Sequence, residues 1–264
     1  MITTLLLALM SPGPVAHTGV SPAPRVTSFQ DEEFPDKRPE VKEWLAQLKG
    51  HVGKRGAEDR EANVLIEKLT EEFQKSGEKD RASIVKEVAK CLDARRKELK
   101  EDVPDNALKL ATAKALGTMG PESVRALSSW VDHKKVRDNL ELQRRLVLSL
   151  GETKDKGATK ALLDMLDHHR PTLVGAAAEA LGNFTAFEQK ERKKLFEELL
   201  KALTSARSKV DADPADNIAR EWWNVVSAPL MTAMTALSGH NAKTPHDWRS
   251  WWNDHKRENW DEER

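Results

Sequence analysis

Three short stretches of the chain combine residue types that metal sites or binding surfaces use. The first is the tripeptide Asp167-His168-His169, whose carboxylate and imidazoles could bind a divalent metal ion. Consecutive residues of a helix point about 100° apart, so these side chains do not converge readily on one ion. The triplet also follows an apolar helical segment ending at Leu166, where protonated histidines interact favourably with the helix dipole. We therefore expect a structural role at a helix C-terminus, without a metal.

The second stretch, "DADPADN", begins at Asp211 and resembles the start of a calcium-binding loop. Asp211, Asp213 and Asp216 would supply hard oxygen ligands. The stretch lacks the glycine that such a loop needs at its sixth position, and Trp222 stands where the bidentate glutamate would be. We therefore expect a solvated insertion between repeat helices, near residues 205–218, without bound calcium.

The third stretch, "DWRSWWNDHKRENW", contains four of the eight tryptophans: Trp248, Trp251, Trp252 and Trp260. A helix-start signal precedes it, with Thr244 as the N-cap, Pro245 as the first helical residue and Asp247 at the third position. The resulting helix would be the last element of the chain, within residues 242–264. It must position the tryptophans, so its packing decides whether they are structural or functional.

Helical spacing places four large side chains on one face of this helix: Trp248, Trp251, Trp252 and His255. So much apolar surface predicts a helix that caps the fold by packing on the preceding helical segment, through Leu230, Met231, Met234 and Leu237. Its polar outer side would then be Arg249, Asn253, Lys256 and Arg257. The alternative is an exposed aromatic surface that binds a partner, formed by the four tryptophans, with Trp260 off the main face and partly exposed.

The elements that carry these stretches are predicted to be helical throughout. From residue 39 the apolar residues recur with the period of an α-helix, and no stretch alternates as a strand would. Residues 39–105 therefore contain N-terminal helices, which are either degenerate repeats or a separate cap. The lone Cys91 lies in an apolar stripe of this region, and we expect it to be a small buried hydrophobic residue.

Residues 106–241 repeat a helical pattern. Each copy has a helix of small residues that ends in an anchoring leucine, at Leu116, Leu150, Leu181 and Leu237, with spacings of 34, 31 and 56 residues. The last copy, residues 229–241, is degenerate. A glycine follows each of the first three anchors, at Gly117, Gly151 and Gly182, and we expect it to end the helix in a left-handed conformation. Each copy has an apolar face that it cannot bury alone, which predicts stacking.

The segments "AKALGTMGPESVRAL" (113–127), "ATKALLDML" (158–166) and "AAEALG" (177–182) resemble HEAT repeats of the short bacterial kind. This resemblance implies an armadillo-like α-solenoid that acts as a rigid surface for protein binding. The tryptophan-rich end is similar to that of exported HEAT-repeat proteins of planctomycete-type bacteria, a resemblance that implies no particular function.

The first sixteen residues bear on localisation. The apolar run from Ile2 to Met10, followed by Ser-Pro-Gly-Pro, resembles a secretory signal peptide at residues 1–16, and residues 17–38 read as a disordered linker rich in proline. We therefore expect an exported or periplasmic protein. The cytoplasmic alternative remains open because no lysine or arginine precedes the apolar run, and cleavage after Ala16 would place Pro14 at the −3 site.

Composition argues against several classes of function. The 43 lysines and arginines equal the 43 aspartates and glutamates, whereas proteins that bind nucleic acid usually show a basic excess. No histidine is followed by glutamate, so the dyad of HEAT-like iron hydroxylases is absent. We therefore expect a non-enzymatic scaffold for an unknown protein partner, with no catalytic residue, no cofactor and no membrane span. The alternatives are an enzyme or enzyme subunit of the bilin-lyase-like type and, less favoured, a nucleic-acid-binding solenoid.

Overall fold

The computed structural model describes residues 34–95 and 106–261, and in these ranges the chain is all-α, as predicted. Eleven α-helices occur there: α1 (Pro39–Val52), α2 (Asp59–Phe73), α3 (Glu78–Lys90), α4 (Ala107–Met119), α5 (Val124–Val131), α6 (Leu140–Glu152), α7 (Thr159–Leu166), α8 (Pro171–Leu181), α9 (Gln189–Ala212), α10 (Asn217–Ser238) and α11 (Pro245–His255). Short 3-10 turns precede α5 and α7 and follow α3. The signal-like residues 1–16 and residues 17–33 of the expected linker lie outside the described residues.

The last residues of the expected linker, 34–38, are hydrogen-bonded to the start of α3. The carboxylate of Asp36 accepts hydrogen bonds from the backbone N–H groups of Lys79 and Asp80, at 2.9 and 3.2 Å. The carboxylate of Asp80 in turn accepts from the N–H groups of Lys37 and Arg38, both at 3.0 Å. Because the first N–H groups of a helix have no partner within it, Asp36 satisfies those of α3, while Asp80 fixes the chain that enters α1.

The helices pack in two rows. In the first row α2, α4, α6, α8 and α10 lie side by side, each in contact with the next. In the second row α3 contacts α5, α5 contacts the 3-10 turn before α7, and α7 contacts α9. The four anchoring leucines are fully buried, and so is Cys91, as expected from their stripes. The apolar faces therefore meet in one core between the rows.

The glycines after the anchoring leucines have a different role from the expected one. Gly117 and Gly151 lie inside their helices, and Gly182 follows α8 with right-handed φ of −62°. Their positions are where the first-row helices approach most closely. A Cβ atom on Gly151 would lie 2.6 Å from the Cα of Ala180, and one on Gly182 would lie 3.2 Å from the Cα of Ala233. The prediction of left-handed caps is wrong, because close helix packing is what requires glycine here.

The expected insertion near residues 205–218 is a lengthening of two helices. Helix α9 continues to Ala212 and α10 begins at Asn217, so only four residues connect them. Helix α10 also runs without a break through Pro229, where the sequence suggested the start of a new copy. Proline removes one helical hydrogen bond. The Pro229 ring lies against α8 at Gly175, where an added Cβ would be 3.5 Å from the Pro229 Cγ. The result is a long α9–α10 hairpin.

Within the described residues, none of the helices has the length and apolar character needed to cross a membrane.

The close approach of α6 and α8 can be tested with Gly151→Ala. Alanine favours helix by about 1 kcal/mol over glycine, but the added methyl overlaps the α8 backbone, and overpacking costs about 1–3 kcal/mol. We expect the free energy of unfolding, measured by urea denaturation, to fall by about 1 kcal/mol. The matched control is Gly50→Ala in α1, where no atom lies within 4 Å of the new Cβ. This control should gain stability, and a gain of the same size at Gly151 would rule out the close approach.

Candidate binding surface

The start of α11 is built as the sequence predicts. Its N-cap is Thr244, whose hydroxyl oxygen accepts a hydrogen bond from the Asp247 N–H at 3.2 Å and donates to the Asp247 carboxylate at 2.7 Å. Pro245 is the first helical residue. Because the start is fixed in this way, the register of the following tryptophans is fixed as well.

The four C-terminal tryptophans surround one phenylalanine of α9. The ring centroids of Trp248, Trp251, Trp252 and Trp260 lie 5.7, 5.4, 5.2 and 5.4 Å from that of Phe196. Helix α11 therefore packs mainly on α9. The expected partner was the α10 face that carries Leu230, Met231, Met234 and Leu237, so this part of the prediction is wrong. Helix α9 has its own apolar stripe, which contacts α11. The spacing of residues in the sequence does not show which of the two stripes, on α9 or on α10, α11 packs against.

Burial limits what these tryptophans can offer a partner. Trp248 is fully buried and Trp260 is 7% exposed, while Trp251 and Trp252 are half-buried. The expectation that Trp260 is partly exposed is wrong, because the chain turns back after α11 and the Trp260 indole N–H donates to the His255 carbonyl at 3.0 Å. The expected polar side is confirmed as exposed: Arg249, Asn253, Lys256 and Arg257. Helix α11 thus closes this end of the core.

A buried arginine, which sequence reasoning missed, fastens the same region. Arg192 is 1% exposed, and its guanidinium donates to the carbonyls of Phe187 and Leu237, at 3.0 and 2.8 Å, and to the Asp261 carboxylate. In the sequence, Arg192 belongs to the basic run "KERKK" (residues 190–194), a pattern typical of a solvated helix face. The sequence does contain an indication that Arg192 is buried, because it precedes Phe196 by four residues and so lies on the apolar face of α9.

Two imidazoles flank one indole at the edge of the cluster. The rings of His240 and His255 stack on Trp251, with centroid distances of 4.7 and 5.0 Å and interplanar angles of 3° and 12°. Burial, and then the charge of His255, hold the pKa of His240 below the ordinary value for histidine. The neutral form of His240 is therefore the one that fits this packing.

Two further tryptophans are partly exposed on α10. Trp222 and Trp223 are half-buried, and each has a cation over its ring: Lys209 at 5.5 Å from the Trp222 centroid and Arg207 at 5.6 Å from that of Trp223. Residues 207–225, the hairpin tip, also expose Ile218 at 77% and Val225 at 41%. The hairpin tip is thus a second aromatic surface of partial exposure, and the aromatic surface on α11 stays a prediction, since Trp251 and Trp252 are half-buried in the same way.

One cleft beside the hairpin, here called the larger cleft, lies between α7, α8, α9 and α10 and has a volume of about 870 Å³. Its floor is apolar and includes Val174 and Leu230, Trp222 forms part of its wall, and charged side chains of α7 and α9 form its rim. The cleft exists because α7 has eight residues whereas α9 has 24, so that α9 and α10 extend past it.

The Asp167-His168-His169 triplet lies on the rim of this larger cleft. It follows the end of α7, as expected, and the two imidazoles stack with centroids 4.3 Å apart. The His168 Nδ1 accepts a hydrogen bond from the Arg170 N–H at 3.0 Å, and burial, followed by the charges of His169 and Arg170, lowers its pKa. In residues 34–95 and 106–261, no group of three or more histidine, cysteine, aspartate or glutamate side chains is arranged to hold a metal ion.

The three aspartates of "DADPADN" serve the hairpin connection. Asp211 pairs with Arg207 at 2.8 Å, and the Asp213 carboxylate accepts from the Ala215 N–H at 3.0 Å. Asp216 is the N-cap of α10, where it accepts from the N–H groups of Ile218 and Ala219. These roles turn the chain and start α10, and they direct the carboxylates to different partners.

Comparisons of the chain with protein-family models, with curated proteins and with solved structures give no match.

The dependence of the C-terminal cluster on Phe196 can be tested with Phe196→Leu. The smaller side chain loses ring contacts with four tryptophans, and we expect the free energy of unfolding to fall by about 2 kcal/mol. The near-ultraviolet circular dichroism of the tryptophans should weaken as well. The control is Phe73→Leu, because Phe73 is equally buried in α2; it should lose stability with little change in that signal. An unchanged spectrum for Phe196→Leu would contradict the described packing.

The lowered pKa values of His240 and His168 predict a pH dependence of stability. Histidine in the unfolded chain takes up a proton near pH 6.5, whereas these two folded residues take it up only at lower pH. The unfolded state therefore binds more protons as the pH falls, and the free energy of unfolding should decrease from about pH 7.5 to about pH 5.5. His240→Gln should make this slope shallower. An unchanged slope in urea titrations across this range would show that His240 is not responsible.

Proposed function

We propose that the protein is a non-enzymatic scaffold that binds another protein through an α-solenoid of HEAT-like hairpins. The observation that carries the proposal is that contacts between hairpins recur at the spacing of the sequence repeat. The Asn106 amide donates to Asn139, and Arg170 donates to the carbonyl of Arg137, each pair 33 residues apart. Arg144 of α6 pairs with Glu179 of α8, 35 residues apart. Contacts between equivalent positions of successive units are what a stacked repeat array produces.

The packing of the two rows supports a curved array. The first-row helices contact one another closely at glycine and alanine residues. In the second row, the main contact of α5 toward α7 is with the 3-10 turn that precedes α7. Closer spacing in one row than in the other bends a stack of hairpins toward the closer row. The outward side of α4, α6, α8 and α10 would then be the concave wall. Such a rigid wall is the usual binding surface of a repeat protein.

The partner is proposed to bind around the hairpin tip. Tryptophan is enriched among the residues that contribute most to protein–protein affinity, and Trp222 has one face on the larger cleft. The exposed Ile218 and Val225 extend this apolar surface beyond the cleft. A cleft with an apolar floor and a charged rim has the composition of a protein interface, in which a buried apolar centre is surrounded by polar groups.

We further propose that the protein acts outside the cytoplasm. The support is the sequence pattern of residues 1–16, where an apolar run is followed by proline and glycine. Outside the cytoplasm the fold would be stabilised without an intramolecular disulfide, because Cys91 is the single cysteine and is buried in the core.

Site-specific photocrosslinking in the cells that make the protein tests the scaffold proposal. A photoreactive residue in place of Ile218 should give one predominant protein adduct. The same residue in place of Lys256, which is exposed at the C-terminal end of α11 and outside the hairpin tip, should not. The added change Trp222→Ala should reduce the adduct at position 218 by about tenfold. No adduct at 218, or equal adducts at both positions, would contradict binding at the tip. A chromophore or stoichiometric iron that copurifies with the chain would support the enzyme alternative instead.

A further inference from the structure

The smaller cleft beside the hairpin tip collects cationic side chains. It has a volume of about 510 Å³ and lies between α9, Trp223 of α10 and the start of α11. Arg207 enters from α9, Lys243 from the segment before α11, and Arg249 from the second turn of α11. Asp211 is the one carboxylate among its lining residues. Three cations therefore line one cleft of a protein whose formal net charge is zero.

Two of these cations have no counter-charge in the described residues. The Asp211 carboxylate pairs with Arg207 at 2.8 Å, so it is already engaged. Lys243 and Arg249 form no ion pair with any carboxylate in residues 34–95 and 106–261. The nearest acid along α11, Asp247, accepts the Thr244 hydroxyl at 2.7 Å. The cleft therefore has a net positive charge, which would attract an anion of matching size.

An aromatic ring gives the cleft a second kind of contact. Trp223 lines it, and the ring is half-buried with the Arg207 guanidinium 5.6 Å from its centroid. A ring held in this way offers a flat apolar surface beside the positive charges. The cleft is thus suited to a ligand that has both a charged and a planar part.

We propose that this cleft binds a phosphate monoester with a planar organic group. A monoester carries about −1.5 to −2 charges at neutral pH and three terminal oxygens, which suits a cleft with two unpaired cations beside the Arg207–Asp211 pair, whereas a carboxylate has one charge and two oxygens. The planar group stacks on Trp223. A volume of about 510 Å³ also exceeds what a free phosphate ion fills and is within the range of small-molecule sites. A soluble aromatic phosphate ester has both parts, whereas phosphatidic acid has the monoester without the planar group.

Isothermal titration calorimetry of the full chain with phenyl phosphate tests the proposal, at constant ionic strength because salt screens exposed charges. The wild type should bind, and Lys243→Gln and Arg249→Gln should each bind about fivefold more weakly. The matched control is Lys256→Gln, which removes a charge at the C-cap of α11, outside the cleft, and should bind as the wild type does. No binding by the wild type, or an equal loss in Lys256→Gln, would overturn the proposal.

Inorganic phosphate and Trp223→Leu separate the two contacts. Phenyl phosphate should bind the wild type about fivefold more tightly than inorganic phosphate, because only the ester stacks on the indole, and Trp223→Leu should abolish this preference. Unchanged melting temperatures will show that the variants remain folded. A preference retained in Trp223→Leu would overturn the stacking role.

Vesicles of phosphatidylcholine with and without phosphatidic acid test whether a monoester without a planar group is enough. Binding of phenyl phosphate without cosedimentation would support the proposal. Cosedimentation that requires phosphatidic acid, and that is weakened in Lys243→Gln but not in Trp223→Leu, would overturn the need for a planar group.

Discussion

The approach of the α6 backbone to α8 at Gly151 is the constraint on which the arrangement of the helices depends. A side chain at this position would lie 2.6 Å from the Cα of Ala180, so the two helices can be this close only because one of them has glycine there. Gly117 and Gly182 have the same role at the neighbouring steps, toward α6 and α10. The pitch of the first row is thus set by backbone contact. Bulkier side chains could rearrange, but a backbone contact leaves little freedom, and the row is correspondingly rigid.

Because the first row is rigid, clefts in the surface form where second-row helices of different length end. Helix α7 is short and α9 is long, so the larger cleft opens where one helix stops and its neighbour continues. The C-terminal end of the core is closed instead, by Phe196 and its four tryptophans and by the buried Arg192. Arg192 satisfies the Leu237 carbonyl at the end of α10, which is also the negative end of that helix dipole. Because a buried charge without partners is costly, this arginine favours one docking position for the C-terminal segment.

The sequence predicted those features that depend on one helix at a time. Burial of the anchoring leucines, the Thr244 cap and the polar side of α11 all follow from local periodicity and capping chemistry, and the structure has them. Features that depend on which helices become neighbours were not predicted. Gly151 reads equally well as a cap or as a packing site until α8 is placed beside it. In the same way, Phe196 of α9 and the apolar stripe of α10 are equally available to the tryptophans until α11 is placed beside α9.

The formal net charge of the whole chain is zero, but the net charge of an individual cleft can differ from zero. On α9 most charges cancel locally, as in the Lys194–Glu191 and Lys201–Glu198 pairs at 3.1 and 2.8 Å. Lys243 and Arg249 stand apart from this pattern, since no acid of the described chain pairs with them. A continuous polyanion needs a basic stripe along its length. A single phosphate group needs only a few converging cations, and for such a ligand the local arrangement matters more than the total charge.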